Sequence, residues 1–280
     1  MVSRAPWCHD VLRDLLVAPA GPLRRLDVVA ATGSTNEDVL NAVRDDPAAW
    51  PTGSLLLADH QDAGRGRCGR AWQSPPGASL LGTFVVRPGP SAGGRGWLPL
   101  LAGLSVVRAL RATGARAWLK WPNDVLVAPP GAPDLDGWGS LRKVAGVLAQ
   151  ATADGAVIAI GVGVNVTQRS AELPVPWASS LALVGAGTDR EALLVALVAE
   201  LTEVVGRWQQ AAGDAAGEGL AAEVAAVCAT LGRPVRVERP GGEVLTGQAV
   251  RLDDDGALVV TVDAAEHRVL AGDVVHLRSG

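Results

Sequence analysis

Arginine and glycine alternate in the run Gly64-Arg65-Gly66-Arg67-Cys68-Gly69-Arg70, and Trp72 follows closely. Glycine lets the backbone approach a ligand and take up positive φ, and successive N–H groups in such a turn form an anion-binding nest. Arginine adds forked donors suited to phosphate or carboxylate oxygens. Further on, Lys120-Trp121-Pro122-Asn123-Asp124 sets a cation, an amide and a carboxylate within one short stretch. Between Ala63 and Asn123 the chain has nine Arg or Lys residues and no Asp or Glu, although its net charge is -4. The expectation is that an anion sits along this segment, in a nucleotide and carboxylate site. A Gly/Arg run alone also describes a solvated linker or an RNA-binding segment, and this one lacks the Gly-Lys-Ser/Thr ending of a P-loop. Its place inside a domain, between Asp59-His60-Gln61 and Trp72, favours a ligand loop.

Short apolar and β-branched runs predict strands at Leu26 to Ala31, Ser54 to His60, Ser79 to Arg87, 116 to 121, 142 to 151 and 156 to 164. The uninterrupted Ala156-Val157-Ile158-Ala159-Ile160 points to a central strand covered on both faces. Ser34 and Glu37 have capping-box spacing and start a helix. Further helices are expected at Trp97 to Ala112, with Arg108 and Arg111 near its end suiting the dipole, at Asp189 to Gln210 and at Glu218 to Leu231. Segment 61 to 78 reads as a long loop and Pro129 to Gly139 as an exposed turn. After Leu231 the texture changes to short alternating segments (233 to 239, 244 to 251, 257 to 262, 267 to 270), the pattern of a small barrel or sandwich. The expected division is 1–230 and 231–280.

The apolar fraction of 48% describes a folded globular chain. Nine Trp against one Phe and no Tyr make the tryptophans the expected core anchors or ligand platforms. A whole-chain nucleic-acid footprint is at odds with the acidic balance. Cys8, Cys68 and Cys228 have no metal spacing and are odd in number, so a reducing, cytoplasmic setting is expected, with no membrane span. The residues before the first strand are too few for a winged-helix domain, so no DNA partner is expected. Oligomeric state has no signal in the sequence.

With these residues in view, the chain resembles the biotin protein ligase family. Gln61, the run 64 to 70 and Trp72 look like its GRGRRGRxW signature, and Lys120 to Asp124 matches its KWPND motif. Ser34-Thr35-Asn36, Lys143-Val144-Ala145-Gly146-Val147-Leu148 and Gly161-Val162-Gly163-Val164-Asn165 match three more blocks in order. The resemblance implies an α+β fold, with a catalytic domain like that of class II aminoacyl-tRNA synthetases (a mixed sheet with flanking helices) and a small C-terminal SH3-like β-barrel. It implies that biotin's carboxylate attacks ATP to give biotinyl-adenylate, after which a lysine of a biotin carboxyl carrier domain, from an acetyl-CoA or acyl-CoA carboxylase, displaces AMP.

Family positions then map residue by residue. Arg67 and Lys143 would lie on the biotin carboxylate and α-phosphate, where like charges must be brought together. Ser34, Thr35, Asn36, Gln61 and the backbone at Arg65 and Gly66 would bind biotin. Arg70, Trp72, Lys120, Asn123 and Asn165 would serve the nucleotide. Asp124 would orient the incoming amine or help hold Mg²⁺, which shares the phosphate charge. Two departures stand out: Cys68 replaces a usual arginine, and Gln150 stands where Glu is common, so a hydrogen-bonding role survives and a charge role does not. Ser179-Ser180-Leu181 loosely resembles a Thr-Ser-Leu segment of the family's adenylate-side loop. A lipoate ligase of the same superfamily, an RNA-binding module and an inactive scaffold are the competing readings.

Overall fold

The computed structural model describes residues 4–89 and 93–277. Helices are α1 (His9–Leu16), α2 (Thr35–Asp45), α3 (Leu98–Ala112), α4 (Arg190–Gln210) and α5 (Leu220–Val227). Strands β1 (Arg25–Val29), β2 (Ser54–Ala58), β3 (Ser79–Val86), β4 (Ala117–Lys120), β5 (Asp124–Val127), β6 (Arg142–Ala151) and β7 (Ile158–Asn165) form one mixed sheet. Its order is β1-β2-β3-β7-β6-β5-β4, with β1 and β2 parallel and every other pair antiparallel. Strands β8 (Pro234–Glu238), β9 (Val244–Leu252), β10 (Leu258–Val262), β11 (Ala265–Val269) and β12 (Asp273–His276) form a second, antiparallel sheet of order β11-β10-β9-β8-β12.

The mixed sheet is covered unequally. Helices α3 and α4 pack on each other and cover one face, and α3 reaches β4 to β7. Its residues Leu98, Leu101, Leu104 and Leu110 join the main apolar core. On the opposite face α2 covers only β2, β3 and β7, where Val39, Val43, Trp50, Leu56 and Val85 make a smaller core. Strand β3 is buried along its whole length because it lies between β2 and β7 with helices on both sides. The remainder of that second face is left for loops, and the site forms there.

An ion pair closes the end of the sheet near the N-terminal segment. Arg190 donates to Asp59 Oδ1 at 3.0 Å and to the Ser79 carbonyl, and its guanidinium lies 4.1 Å from the Trp7 ring centroid. Asp59 Oδ2 also accepts from the Trp7 N–H. Two further tryptophans fasten the two sheets together: Trp97 Nε1 donates to the Asp254 carbonyl (2.7 Å) and Trp121 Nε1 to that of Gly256 (3.1 Å).

Several expectations are corrected. Ser34 stands at the N-cap of α2, but its side chain makes no cap bond; the Thr35 N–H is taken instead by Gln61 Oε1 (2.8 Å), and Glu37 pairs with Arg65 (3.0 Å). Arg111 stands in the last turn of α3, as expected, and also donates to the Ala117 carbonyl, whereas Arg108 lies before that turn and pairs with Glu200, Glu203 and Glu223. Helix α5 is shorter than expected because Ala229 N–H donates to the Leu119 carbonyl and Thr230 turns toward Trp121. Helix α1 and strands β5 and β12 were not anticipated.

Candidate active site

Loop 61–78 folds back on itself. Gly66 N–H donates to the Arg70 carbonyl (2.7 Å) and Trp72 N–H to that of Gly64 (2.8 Å). Gly69 takes φ 71, and Cys68 takes φ 54, a left-handed conformation that a side chain disfavours. The fold-back lays Trp72 across the sheet, where Gly146 of β6 and Gly163 of β7 are directly paired. A Cβ on Gly163 would lie 2.8 Å from the indole, and one on Gly146 3.4 Å from it and 3.2 Å from Lys143 Nζ. Bare backbone at these two positions is what makes room for the ring.

A cavity of about 410 Å³ opens beside it, within the range of small-molecule sites. Ser34, Thr35, Asn36, Gln61, Arg65, Gly66, Arg67, Arg70, Trp72, Asn123, Asp124, Lys143 and Asn165 all line it. Of the sequence-derived candidates only Lys120 is outside the wall; it is 6% exposed, and its ammonium lies 4.3 Å from the ring centroid of Trp138, which does line the cavity.

One end is a network of neutral groups. Thr35 donates its hydroxyl to Gln61 Oε1 (3.0 Å), and Thr83, within 2.8 Å of Thr35 Oγ1, donates to Asn36 Oδ1 (2.7 Å). Asn36 Nδ2 donates to Gln150 Oε1 (2.8 Å) and to the Leu148 carbonyl (3.1 Å). Gln150 therefore acts as an uncharged acceptor. Gly161 is required beneath this network, because a Cβ there would meet Asn36 Oδ1 at 2.4 Å.

The other end is charged. Lys143 Nζ lies 2.6 Å from Asp124 Oδ1 and 5.7 Å from the Trp72 centroid. Burial alone would push the Asp124 carboxyl up, but Lys143 and Lys120 beside it hold it below the usual carboxylate range. Burial pushes the Lys120 ammonium down. Arg67 donates to Asn123 Oδ1 (3.3 Å) and to the Gly272 carbonyl (3.3 Å), and Arg70 pairs with Asp273 (2.7 Å). Both arginines thus reach from the cavity rim to the strand that ends the second sheet.

The acid-free segment is only partly a ligand site. Arg87 donates to the Trp50 carbonyl, Arg116 stacks near Trp118, Arg95 lies against Gly155, and Arg108 and Arg111 are engaged as described. Asn165 is also more occupied than expected: Nδ2 donates to the Ser179 carbonyl (2.9 Å) and Oδ1 accepts from Gln168 (3.0 Å). Asp124 is committed to Lys143, and no cluster of three or more metal-ligating side chains exists among the described residues. Trp138, Trp177 and Thr83 were missed. Thr83 lies inside a strand with nothing to mark it, Trp138 sits in the Gly/Pro-rich segment that reads as an exposed turn, and Trp177 follows Pro174 and Pro176 in a stretch with no periodic signal.

The sequence matches the Biotin/lipoate A/B protein ligase family over residues 28–166 and the Biotin protein ligase C terminal domain over residues 230–277. It is 39% identical to the biotin–[acetyl-CoA-carboxylase] ligase of Mycobacterium tuberculosis, across 98% of this chain and 97% of that one. Identity is 30% to the bifunctional ligase/repressor BirA of Escherichia coli, across 88% of this chain and 72% of that one. A biotin protein ligase from Aquifex aeolicus, solved in complex with biotin and ATP, aligns with a TM-score of 0.72 at 26% identity, across 92% of this chain and 100% of that one.

Proposed function

This chain belongs to the biotin protein ligase family, and from that premise we propose that it activates biotin with ATP and transfers it to a lysine of a biotin carboxyl carrier domain of acetyl-CoA or acyl-CoA carboxylase. In the first step a biotin carboxylate oxygen bonds to the α-phosphorus and pyrophosphate leaves. In the second a lysine amine bonds to the acyl carbon and AMP leaves. The observation that carries the reading is that Arg67 and Lys143, cations from a loop and a strand, line one cavity with the neutral network of Gln61, Thr35 and Asn36.

The neutral end suits a ureido ring: Ser34 offers a hydroxyl not used as a cap, and the Arg65 and Gly66 backbone runs alongside. Thr35, Asn36 and Gln61 are largely engaged with one another, so their part is to hold the shape of this end. At the charged end Lys143 and Arg67 offset the repulsion between carboxylate and phosphate. Asp124, held ionised below the ordinary range, is a weak base; its part is to orient the amine through its negative charge. Arg70, Asn123 and Lys120 assist the nucleotide side. Mg²⁺ enters as part of the MgATP substrate, because the Asp124 carboxylate is already taken by Lys143.

The reading extends to architecture and setting. We take residues 1–230 as a catalytic unit of class II aminoacyl-tRNA-synthetase type and 231–280 as an SH3-like unit, supported by the mixed sheet and by the change to a separate antiparallel sheet at β8. Free thiols at Cys8 and Cys68, both exposed, suit the cytoplasm. No helix among the described residues is long and apolar enough to cross a membrane. The test is pyrophosphate release with MgATP and either biotin or lipoate. Release with biotin alone is expected; release with lipoate alone, or with neither, overturns the reading.

A further inference from the structure

The chain has two lysines, Lys120 and Lys143, and both stand at the site; its other strong bases are arginines, which keep their proton and are no nucleophiles. An acyl-adenylate formed in the cavity reacts with whatever amine reaches its carbonyl carbon, so these two side chains are the internal competitors of an acceptor lysine. Lys143 is already disarmed. Its Nζ lies 2.6 Å from Asp124 Oδ1 as the cation of an ion pair, and an ammonium has no lone pair to attack with.

Lys120 is the sharper problem. It pairs with Asp124 in the β4–β5 register, and directly opposed residues of an antiparallel pair project from the same face with Cβ atoms roughly 5 Å apart. Asp124 lines the cavity, so the backbone aims Lys120 at the same space. Burial also pushes the Lys120 ammonium down, which brings the neutral, nucleophilic amine closer. An amine tethered there acts at an effective concentration of about millimolar or more, which a diffusing acceptor protein must outcompete. Yet Lys120 is 6% exposed and lies outside the cavity wall.

The side chain that meets both Lys120 and the cavity is Trp138, which lines the wall with its ring centroid 4.3 Å from Lys120 Nζ. Attraction between the cation and the ring face holds the ammonium there. The ring is itself fixed. Leu135 and Gly139 exchange both backbone hydrogen bonds (2.9 and 2.8 Å), and the Trp138 N–H donates to the Leu135 carbonyl (3.1 Å). Arg142, 5% exposed, donates to the carbonyls of Gly139, Leu141 and Pro133. Gly137 takes φ 73 and packs so closely on β12 that a Cβ would meet Val275 Cγ1 at 2.6 Å. Trp177 stacks alongside, 11° from parallel with centroids 6.1 Å apart.

We propose that Trp138 is a specificity-determining residue that shields Lys120 from the activated acyl group, so that biotin is kept for the lysine of the acceptor. Without the shield, Lys120 Nζ would bond to the acyl carbon and the carbon–oxygen bond to AMP would break. AMP would leave with the electron pair, the amine's proton would pass to solvent, and the chain would carry biotin as an amide on its own side chain. The charge of Lys120 still acts on the nucleotide side, since electrostatic attraction needs no contact. The inference rests on the adenylate-forming reading above.

The test supplies synthetic biotinyl-5'-AMP, so that labelling does not depend on the chain making it, and reads biotin on the Lys120 and Lys143 peptides by mass spectrometry. W138A and W138V both open the shield, and either suffices should the other fail to fold; W138F keeps an aromatic cover. Each is used only with a melting temperature close to that of the parent. The open variants are expected to carry about tenfold or more label on Lys120 than the parent or W138F, with label on Lys143 unchanged. Equal label on Lys120 in the parent and the open variants, or a parallel rise on both lysines as general loosening would give, overturns the proposal. If the open variants label Lys120 as expected but no pyrophosphate is released from ATP with biotin, the functional reading fails and the shielding by Trp138 survives.

Discussion

Lys143 Nζ and Asp124 Oδ1 are 2.6 Å apart on adjacent strands β6 and β5, and this contact joins the cation proposed to meet phosphate to the carboxylate proposed to meet the amine. The strands do not pair Asp124 with Lys143; Asp124 is opposite Gly146, and a register shift between Val125 and Leu126 brings Lys143 opposite Leu126. The long lysine side chain closes that gap along the glycine floor.

Asp124→Asn keeps the shape and removes the charge. Transfer to the carrier domain is expected to fall by about 10²-fold or more, with pyrophosphate release much less affected. Quenched-flow measurement of the two half-reactions separates them. Equal loss in both would place Asp124 in adenylation instead.

Arg67→Gly removes the guanidinium that bridges Asn123 and the Gly272 carbonyl. Adenylate is expected to escape faster, so that bystander proteins are labelled on their lysines. Mass spectrometry of an added inert protein reads the outcome, and unlabelled lysines would remove Arg67 from retention.

Gly163→Ala drives a methyl into the Trp72 indole. The ring must move or the strand must shift, at a cost of about 1–3 kcal/mol, seen as a melting temperature lower by several degrees. Biotin and nucleotide affinity should fall with it. Gly33→Ala, with open space around its Cβ, is the contrasting substitution and should leave stability nearly unchanged.

His276 is 6% exposed and bonded through Nε2 to Thr230 Oγ1 (3.1 Å), whose oxygen also accepts from the Trp121 N–H. Burial, with Lys120 and Arg233 nearby, pushes its pKa down to about 3. The unfolded chain binds this proton near pH 6.5 and the folded one does not. The folded state is therefore fully favoured above pH 6.5 and loses stability as pH falls from there toward 3. By pH 5 the loss from this group is about 2 kcal/mol. Urea denaturation at pH 7.5 and pH 5 should show a smaller difference for His276→Gln than for the parent chain.

Much of the site was legible because its chemistry sits in short contiguous blocks. Ser34 to Asn36, Gln61, Arg67, Trp72, Asn123, Asp124, Lys143 and Asn165 converge on one cavity from a loop, a helix start and several strands. What local sequence does not encode is which partner a polar group finds. The Ser34–Glu37 spacing predicted a capping box, yet Gln61, distant in sequence, takes the Thr35 N–H and Arg65 draws Glu37 away. Charge counting overstated the anion site for the same reason, as Arg108 finds acidic partners on α4 and α5. Strand β5 was hidden by its brevity and by the Asn-Asp pair at its start. The connection from Pro129 to Gly139 is largely exposed, as its composition says; only Gly137 is buried and only Trp138 reaches the cavity, which composition does not reveal.

Among the described residues none beyond Ala178 lines the main cavity, yet Arg67 and Arg70 are anchored to Gly272 and Asp273, far along the chain. The loop proposed to retain the adenylate is thus moored to the segment that leads into β12. Damage to that segment should surface first as leakage of product at the wrong address, before the enzyme loses its capacity to turn over.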